Sequence, residues 1–282
     1  INRANPIEAA QALQGQVAGV EVNRLSGRPG EGFRINIRGL NSFEPTQKSG
    51  FADAEDRFGR SFPAKSQPLV VVNGVIGANL NEINPSDIET IDVLKDASST
   101  AVYGARGANG VIIVTTKKGS SGKPTFSYNG YYGVKGKGKM PELMDAQTYY
   151  GLYNDPKFKR GFTDQEKYNV ENGISTDWVD LVTQNGIQQN HTFSVSGGSE
   201  STQYSFSASK LQEEGMIRHT VFDRLSLNAS IDSQVSDRVK VGFTSYVTLS
   251  ENNYGSNESA RAAMRARPTM RPARGSLLSL PT

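Results

Sequence analysis

The sequence predicts an α+β domain followed by antiparallel β-strands of the kind that cross an outer membrane, and three observations predict it. The hydrophobic spacing changes character after Gly119. Beyond that point five segments alternate apolar residues with small or polar ones. The connections between those segments alternate long, short, medium, short and long, as in barrels that pair short periplasmic turns with longer outer loops. A soluble β-sandwich is the alternative that periodicity leaves open.

The first half reads as short strands interleaved with short helices. Ile7, Ala10, Leu13 and Val17 recur at three or four residues, as on one helix face. A glycine-rich turn at Gly27–Gly32 leads to Phe33, Ile35 and Ile37, which alternate with Arg34, Asn36 and Arg38 as in a half-buried strand. The apolar run Leu69–Val72 ends on Asn73-Gly74, a hairpin signal. Ser86 and Glu89 have capping-box spacing after Pro85. Ile91, Val93 and Leu94 predict a strand, Ala97–Tyr103 a short helix ended by Gly104, and the β-branched run Val111–Thr116 a further strand.

In the second half Phe126, Tyr128, Tyr132 and Val134 share one parity. Phe193 and Val195 continue the pattern, then Tyr204, Phe206 and Ala208. Leu225, Leu227, Ala229 and Ile231 oppose Arg224, Ser226, Asn228 and Ser230. Val239, Val241, Phe243, Val247 and Leu249 complete the set. Five strands cannot close a barrel, so the chain reads as an excerpt whose open edge the full protein must cover.

Composition narrows the function classes. Charged residues make up 21% and the formal net charge is +3, too mild and dispersed for a nucleic-acid module. There are no cysteines and two histidines, His191 and His219, so disulfides and thiolate metal sites are excluded and imidazole chemistry has little to work with. No apolar run reaches 18 residues, which excludes a transmembrane helix but not a barrel. Gly104, Gly107 and Gly110 match neither phosphate-binding spacing, so they read as tight turns. Asp53, Glu55 and Asp56 lack calcium-loop spacing and read as a charged surface loop. No nucleophile–base constellation is present, no cofactor is called for, and the chain is not read as an enzyme. His191 is assigned to the polar parity of its strand. Trp178 with Tyr149, Tyr150 and Tyr153 could stack on a ligand, pack an outer loop or join an interfacial aromatic belt. Arg261, Arg265, Arg267, Arg271 and Arg274 form a basic run read as a solvated loop, with lipid phosphate as the alternative.

Several runs, in order along the chain, resemble one family. Val93–Gly119 (VLKDASSTAVYGARGANGVIIVTTKKG), Leu13–Val22 (LQGQVAGVEV), the INIRG run ending at Gly39 and Pro68–Val75 (PLVVVNGV) are similar to the plug signature of SusC/RagA-type TonB-dependent transporters. Thr176–Val182, Gln189–Ser209 and the FDRLSLNAS run from Phe222 are similar to that family's opening barrel segments. The resemblance implies a plug over residues 1–119, and over 120–282 the first five strands and outer loops of a 22-stranded barrel. It also implies active import of oligosaccharides or peptides across the outer membrane of a Gram-negative bacterium. Partners would be the TonB–ExbB–ExbD complex, whose contact segment is not seen in this chain, a SusD-like surface lipoprotein and outer-membrane lipid. A vitamin or iron-chelate receptor on the same fold and an outer-membrane adhesin are the rivals.

By strand parity and analogy with the wider class, the turn Arg24–Gly32 and the segment Ile76–Asn84 become neighbouring apex loops. Arg24, Arg28, Asn79 and Asn81 are then the candidate substrate contacts, and Phe43–Gln67 falls at the opposite, periplasmic end. Asn73 stands where the family usually carries Asp.

Overall fold

The computed structural model describes residues 8–24, 26–37, 67–138, 140, 142–158 and 161–272. Phe43–Gln67 lies outside them except for Gln67, as do Ile7, Arg38 and Arg274. The chain divides into two compact units.

The first unit comprises Ile1–Tyr132, Gln189–Glu213 and Phe222–Asn252. Its small strands are β1 (Val20–Arg24), β2 (Phe33–Ile37), β3 (Leu69–Val72), β4 (Val75–Ile76), β5 (Ile88–Leu94) and β6 (Val111–Thr116). β1 and β2 form an antiparallel pair in which Val22 faces Ile35 and Arg24 faces Phe33. The other four form a sheet of order β4-β3-β6-β5, with β3 and β6 parallel. The β3–β4 hairpin turns on Asn73 (φ 48°) and Gly74 (φ 86°), the double left-handed turn for which Asn-Gly is suited. Ala9, Ala10, Leu13, Val22, Ile35, Ile37, Val72, Leu80, Ile83, Ile88, Ile112 and Val114 make one buried core, and truncating a residue such as Ile112 to Ala costs about 2–5 kcal/mol.

Four local expectations change. The amphipathic start is a single 3-10 turn, Gln11–Leu13, followed by Gly15 and Gly19 at positive φ; Ala10 and Leu13 still face the core. The turn Pro85–Asp87 is capped by Asn84, whose side chain accepts from Ser86 N, and not by Ser86; Glu89 is already in β5. β2 is not half-buried, because Asn36 is covered along with Ile35 and Ile37. The expected helix after Lys95 is α1 (Ala97–Thr100) running into a 3-10 segment, Ala101–Gly107, that kinks at Gly104 (φ 60°).

The alternating segments are β7 (Gly122–Lys135), β8 (Gly186–Gly198), β9 (Thr202–Glu214), β10 (Val221–Ser236) and β11 (Val239–Asn253). They form one meander in sequence order. Its polarity is the reverse of a soluble sheet. Thr192, Ser207, Ser209, Glu213, Arg224, Ser226, Asn228 and Ser230 are buried. Phe126, Tyr132, Phe193, Phe206, Ile231, Val241, Phe243 and Leu249, on the other parity, are exposed.

The second unit comprises Gly133–Gln188, Glu214–Val221 and Asn253–Thr282. Its long connection is structured by α2 (Ala146–Tyr153), α3 (Asp164–Glu171) and α4 (Trp178–Val182), joined by α5 (Asn257–Arg265). Local capping chemistry explains these short helices. Asp145 accepts from Thr148 N, Asp177 from Asp180 N, and Thr163 with Glu166 forms a reciprocal capping box.

Candidate functional site

Within the first unit the small α+β domain is fastened to the polar face of the meander. The segment Asn79–Asp87 carries most of the fastening. Asn79 caps the turn Leu80–Glu82 by accepting from Asn81 N. Arg224 Nη1 donates to the Asn81 carbonyl at 2.6 Å. Tyr246 Oη donates to the Glu82 carbonyl and accepts from Asn84 N, each at 2.8 Å. Asn84 Nδ2 reaches Thr192 Oγ1 at 3.2 Å. Burial pushes the Asp87 carboxyl above its ordinary range, against the opposing pull of Ser207, Lys117 and Arg224.

A second fastening involves the turn between β1 and β2. Arg24 Nη2 lies 3.2 Å from Glu213 Oε1, whose side chain is 1% exposed. Gly30 (φ 66°) packs so closely on the Phe222 ring that a Cβ there would overlap it. Glu213 and Phe222 stand at the β9 and β10 ends that flank the connection 215–220, the end opposite the short turns after Gly198 and Ser236. At the short-turn end Lys118 pairs with Asp232 at 3.1 Å. The turn Arg24–Gly32 therefore packs on the ends of β9 and β10 that lie opposite their short turns. Asn228 Oδ1 and Ser230 Oγ, buried on the same polar face, have no hydrogen-bond partner among the described residues.

The four candidate contacts are distributed as follows. Arg24 also donates to the Arg28 carbonyl at 3.3 Å and lies 5.7 Å from the centre of the Phe33 ring. Arg28 is half-buried, and its backbone N donates to Ser26 Oγ. Asn79 is exposed, and its amide donates to Glu82 Oε1. Asn81 brackets Phe33, accepting from its N–H at 3.1 Å and donating to its carbonyl at 3.4 Å. The fold thus brings Arg24 and Asn81 to the same residue, and the two predicted loops are neighbours.

Sequence reasoning missed Glu213, Arg224, Tyr246 and Asp87. The available signal was that Glu213, Arg224 and Tyr246 stand opposite the apolar parity of their strands, where a lumen-facing surface would be.

Other expectations resolve here. His191 shares the parity of Phe193, not the polar one; it is exposed, and its Nδ1 lies 2.7 Å from Tyr128 Oη. In the second unit Tyr149, Tyr150 and Tyr153 pack with Phe158 and Phe162, and Trp178 Nε1 donates to the Arg267 carbonyl at 2.9 Å. Packing the loop is the role the contacts give them. Trp178, Tyr149 and Tyr153 also line an open cavity of about 1050 Å³ with Lys137, Asp180 and Met264. The basic run is partly neutralised, since Arg267 pairs with buried Glu166 at 3.3 Å and Arg261 with Glu258 at 3.5 Å. Asn73 uses both amide atoms on Thr116, donating to Oγ1 at 2.8 Å and accepting from N at 3.0 Å.

Residues 1–111 match the family described as TonB-dependent Receptor Plug Domain. The chain is 35% identical over 237 residues to TonB-dependent receptor P3 of Formosa agariphila, covering 84% of this chain and 21% of that protein. It is 30% identical over 279 residues to TonB-dependent receptor SusC of Bacteroides thetaiotaomicron, covering 94% of this chain and 25% of SusC. The chain therefore spans about a fifth to a quarter of the length of these relatives. The structure of the RagAB peptide importer in its 'closed-closed' state superposes with a TM-score of 0.73 at 25% identity, over 89% of this chain and 30% of that one. With a plug seated on a meander whose buried face is polar and whose exposed face is apolar, the chain belongs to the SusC/RagA-type TonB-dependent receptors, outer-membrane proteins of Gram-negative bacteria.

Proposed function

We propose that the protein containing this chain is an active importer of oligosaccharides or peptides, energised by the TonB–ExbB–ExbD complex and closed on the outside by a SusD-like lipoprotein. The observation that carries it is the reversed polarity of the meander, with apolar side chains exposed and a polar face buried against the plug. Lipid requires every backbone group to be satisfied internally, which closed barrels achieve. We read residues 1–119 as the plug and 120–282 as the opening five strands and outer loops of a 22-stranded barrel. Relatives named as receptors and a peptide importer support transport without chemistry on the substrate.

Import requires the plug to move, and its fastening to the wall is mostly hydrogen bonds between polar groups. Buried polar atoms such as Asn228 Oδ1 and Ser230 Oγ cost about 1–3 kcal/mol each if dry, so this boundary is one that water enters and that can shear. In this reading Arg24, Arg28, Asn79 and Asn81 lie on the outward loops of the plug and touch substrate there.

The test is uptake of labelled oligosaccharides and peptides by the host, comparing the full-length protein with a variant lacking its TonB-contacting segment. Loss of uptake of one class with surface binding retained is the expected outcome. Unchanged uptake of both classes sinks the proposal, and growth under iron or vitamin limitation then tests the chelate-receptor reading.

A further inference from the structure

We propose that the outer headgroup plane of the membrane crosses this wall at the Lys210–Asp223 ion pair, so that Leu225–Val235 and Val239–Leu249 are the lipid-covered lengths of β10 and β11. The inference rests on the outer-membrane transporter reading, and its partner is the lipid of the outer leaflet.

Two strands delimit the same height independently. On β10 the outward parity reads Leu225, Leu227, Ala229, Ile231, Ser233 and Val235. On β11 it reads Val239, Val241, Phe243, Ser245, Val247 and Leu249. Each run is about ten residue steps, and at about 3.3 Å per step with a tilt of about 40° it rises about 25 Å. That equals the height of the apolar band on outer-membrane barrels, about 25 Å. Both runs start at the short turn between Ser236 and Val239, the periplasmic side. Both end outward on an acid, since the next residues of that parity are Asp223 on β10 and Glu251 on β11.

Lys210 fits the same plane. It stands on the outward parity of β9, and its ammonium lies 2.9 Å from Asp223 Oδ1. A lysine stem laid along an apolar wall with its charge lifted to a polar level is snorkelling. Polar groups on the neighbouring outward surface are paired side chain to side chain. Tyr128 bonds His191 at 2.7 Å, and Gln189 Nε2 donates to Gln212 Oε1 at 2.7 Å. Gln212 follows Lys210 outward on β9, so the Gln189–Gln212 pair lies on the headgroup side of the proposed plane.

The test uses the full-length protein with single cysteines, since this chain has none. Val221→Cys, Leu225→Cys, Phe243→Cys, Leu249→Cys and Glu251→Cys variants are labelled with a bimane fluorophore. They are then reconstituted in phosphatidylcholine vesicles carrying nitroxide on either acyl chain or headgroup. Positions 225, 243 and 249 are expected to be quenched more by acyl-chain nitroxide, and 221 and 251 more by headgroup nitroxide. Acyl-chain quenching of 221 and 251 equal to that of 243 overturns the proposed plane. So does shielding of 225 and 249 from both lipids, which would mark a protein-covered wall. If position 243 is itself untouched by lipid nitroxide, the barrel reading falls as well. The two boundary positions lie on different strands, so failure of one variant to insert leaves the other decisive.

Discussion

Arg24 Nη2 lies 3.2 Å from Glu213 Oε1, so a turn of the plug holds its charge against a carboxylate buried in the wall. A buried carboxylate that loses its cation keeps its desolvation cost. Arg24→Ala should therefore weaken the β1–β2 pair by about 1.5–3 kcal/mol, read as faster hydrogen exchange at Val22 and Ile35. Arg24→Met combined with Glu213→Met should cost less than Arg24→Ala alone. Unaltered exchange in Arg24→Ala would show that the pair contributes nothing.

Asn81 and Asn79 make different demands. Asn81→Ala removes both bonds to Phe33 and should cost about 2 kcal/mol. Asn79→Ala removes one cap, about 1 kcal/mol. If Asn79 touches substrate, its replacement lowers uptake well beyond what that loss of stability explains. Parallel decline of uptake and stability in both variants would assign both residues to structure alone.

Asp87 gives the plug a pH dependence of definite sign. Burial raises its carboxyl in the folded state, so the folded form binds the proton more tightly than the unfolded chain does. The contribution of this group is fully present below its unfolded value and is lost as pH rises through the folded one. Asp87→Asn should flatten that fall and raise the unfolding midpoint at neutral pH. A midpoint in Asp87→Asn with the same pH slope as the parent contradicts this.

Glu166 predicts the opposite slope for the second unit. Its carboxyl feels burial, which raises it, but bonds from Thr163, Thr269 and Arg267 win and hold it low. That stability is present above the unfolded carboxylate value and lost as pH falls through the folded one. Glu166→Gln should remove this acid sensitivity and the charge that Arg267 pairs with at 3.3 Å. Proteolysis of the connection between β7 and β8, followed against pH, reads the change.

Asn73 is expected to tolerate Asp and not Ala. An aspartate still accepts from Thr116 N and can accept from Thr116 Oγ1, so Asn73→Asp should stay within about 0.5 kcal/mol. Asn73→Ala loses both bonds and places a residue without a local acceptor at φ 48°, at a cost of about 1–3 kcal/mol. Thermal unfolding of the pair separates them.

Much of this protein was legible residue by residue. The β-branched run Val111–Thr116, the Asn73-Gly74 hairpin and the five alternating segments are local patterns, each set by backbone sterics or by which parity meets an apolar surface. They determined the strands and the reversal of polarity, and with the ordered motifs they determined the family. What they could not carry was which polar residue meets which. Arg224 and Asn81 are far apart in the chain, as are Arg24 and Glu213, and a polar parity looks the same whether it faces water or a plug.

Short-range signals also misled where tertiary partners compete. Ser86 has capping spacing, but Asn84 wins because its side chain both caps the turn and reaches Thr192. For Trp178 and the tyrosines spacing left loop packing, ligand stacking and an aromatic belt open, and the contacts with the Arg267 carbonyl and Phe162 give the packing. The sequence by itself determined the strands, the turns and the family, because those depend on neighbours within a few residues. Only the tertiary structure decided how the plug is fastened and which side chains are already committed, because buried polar groups take whichever partner the fold places within reach.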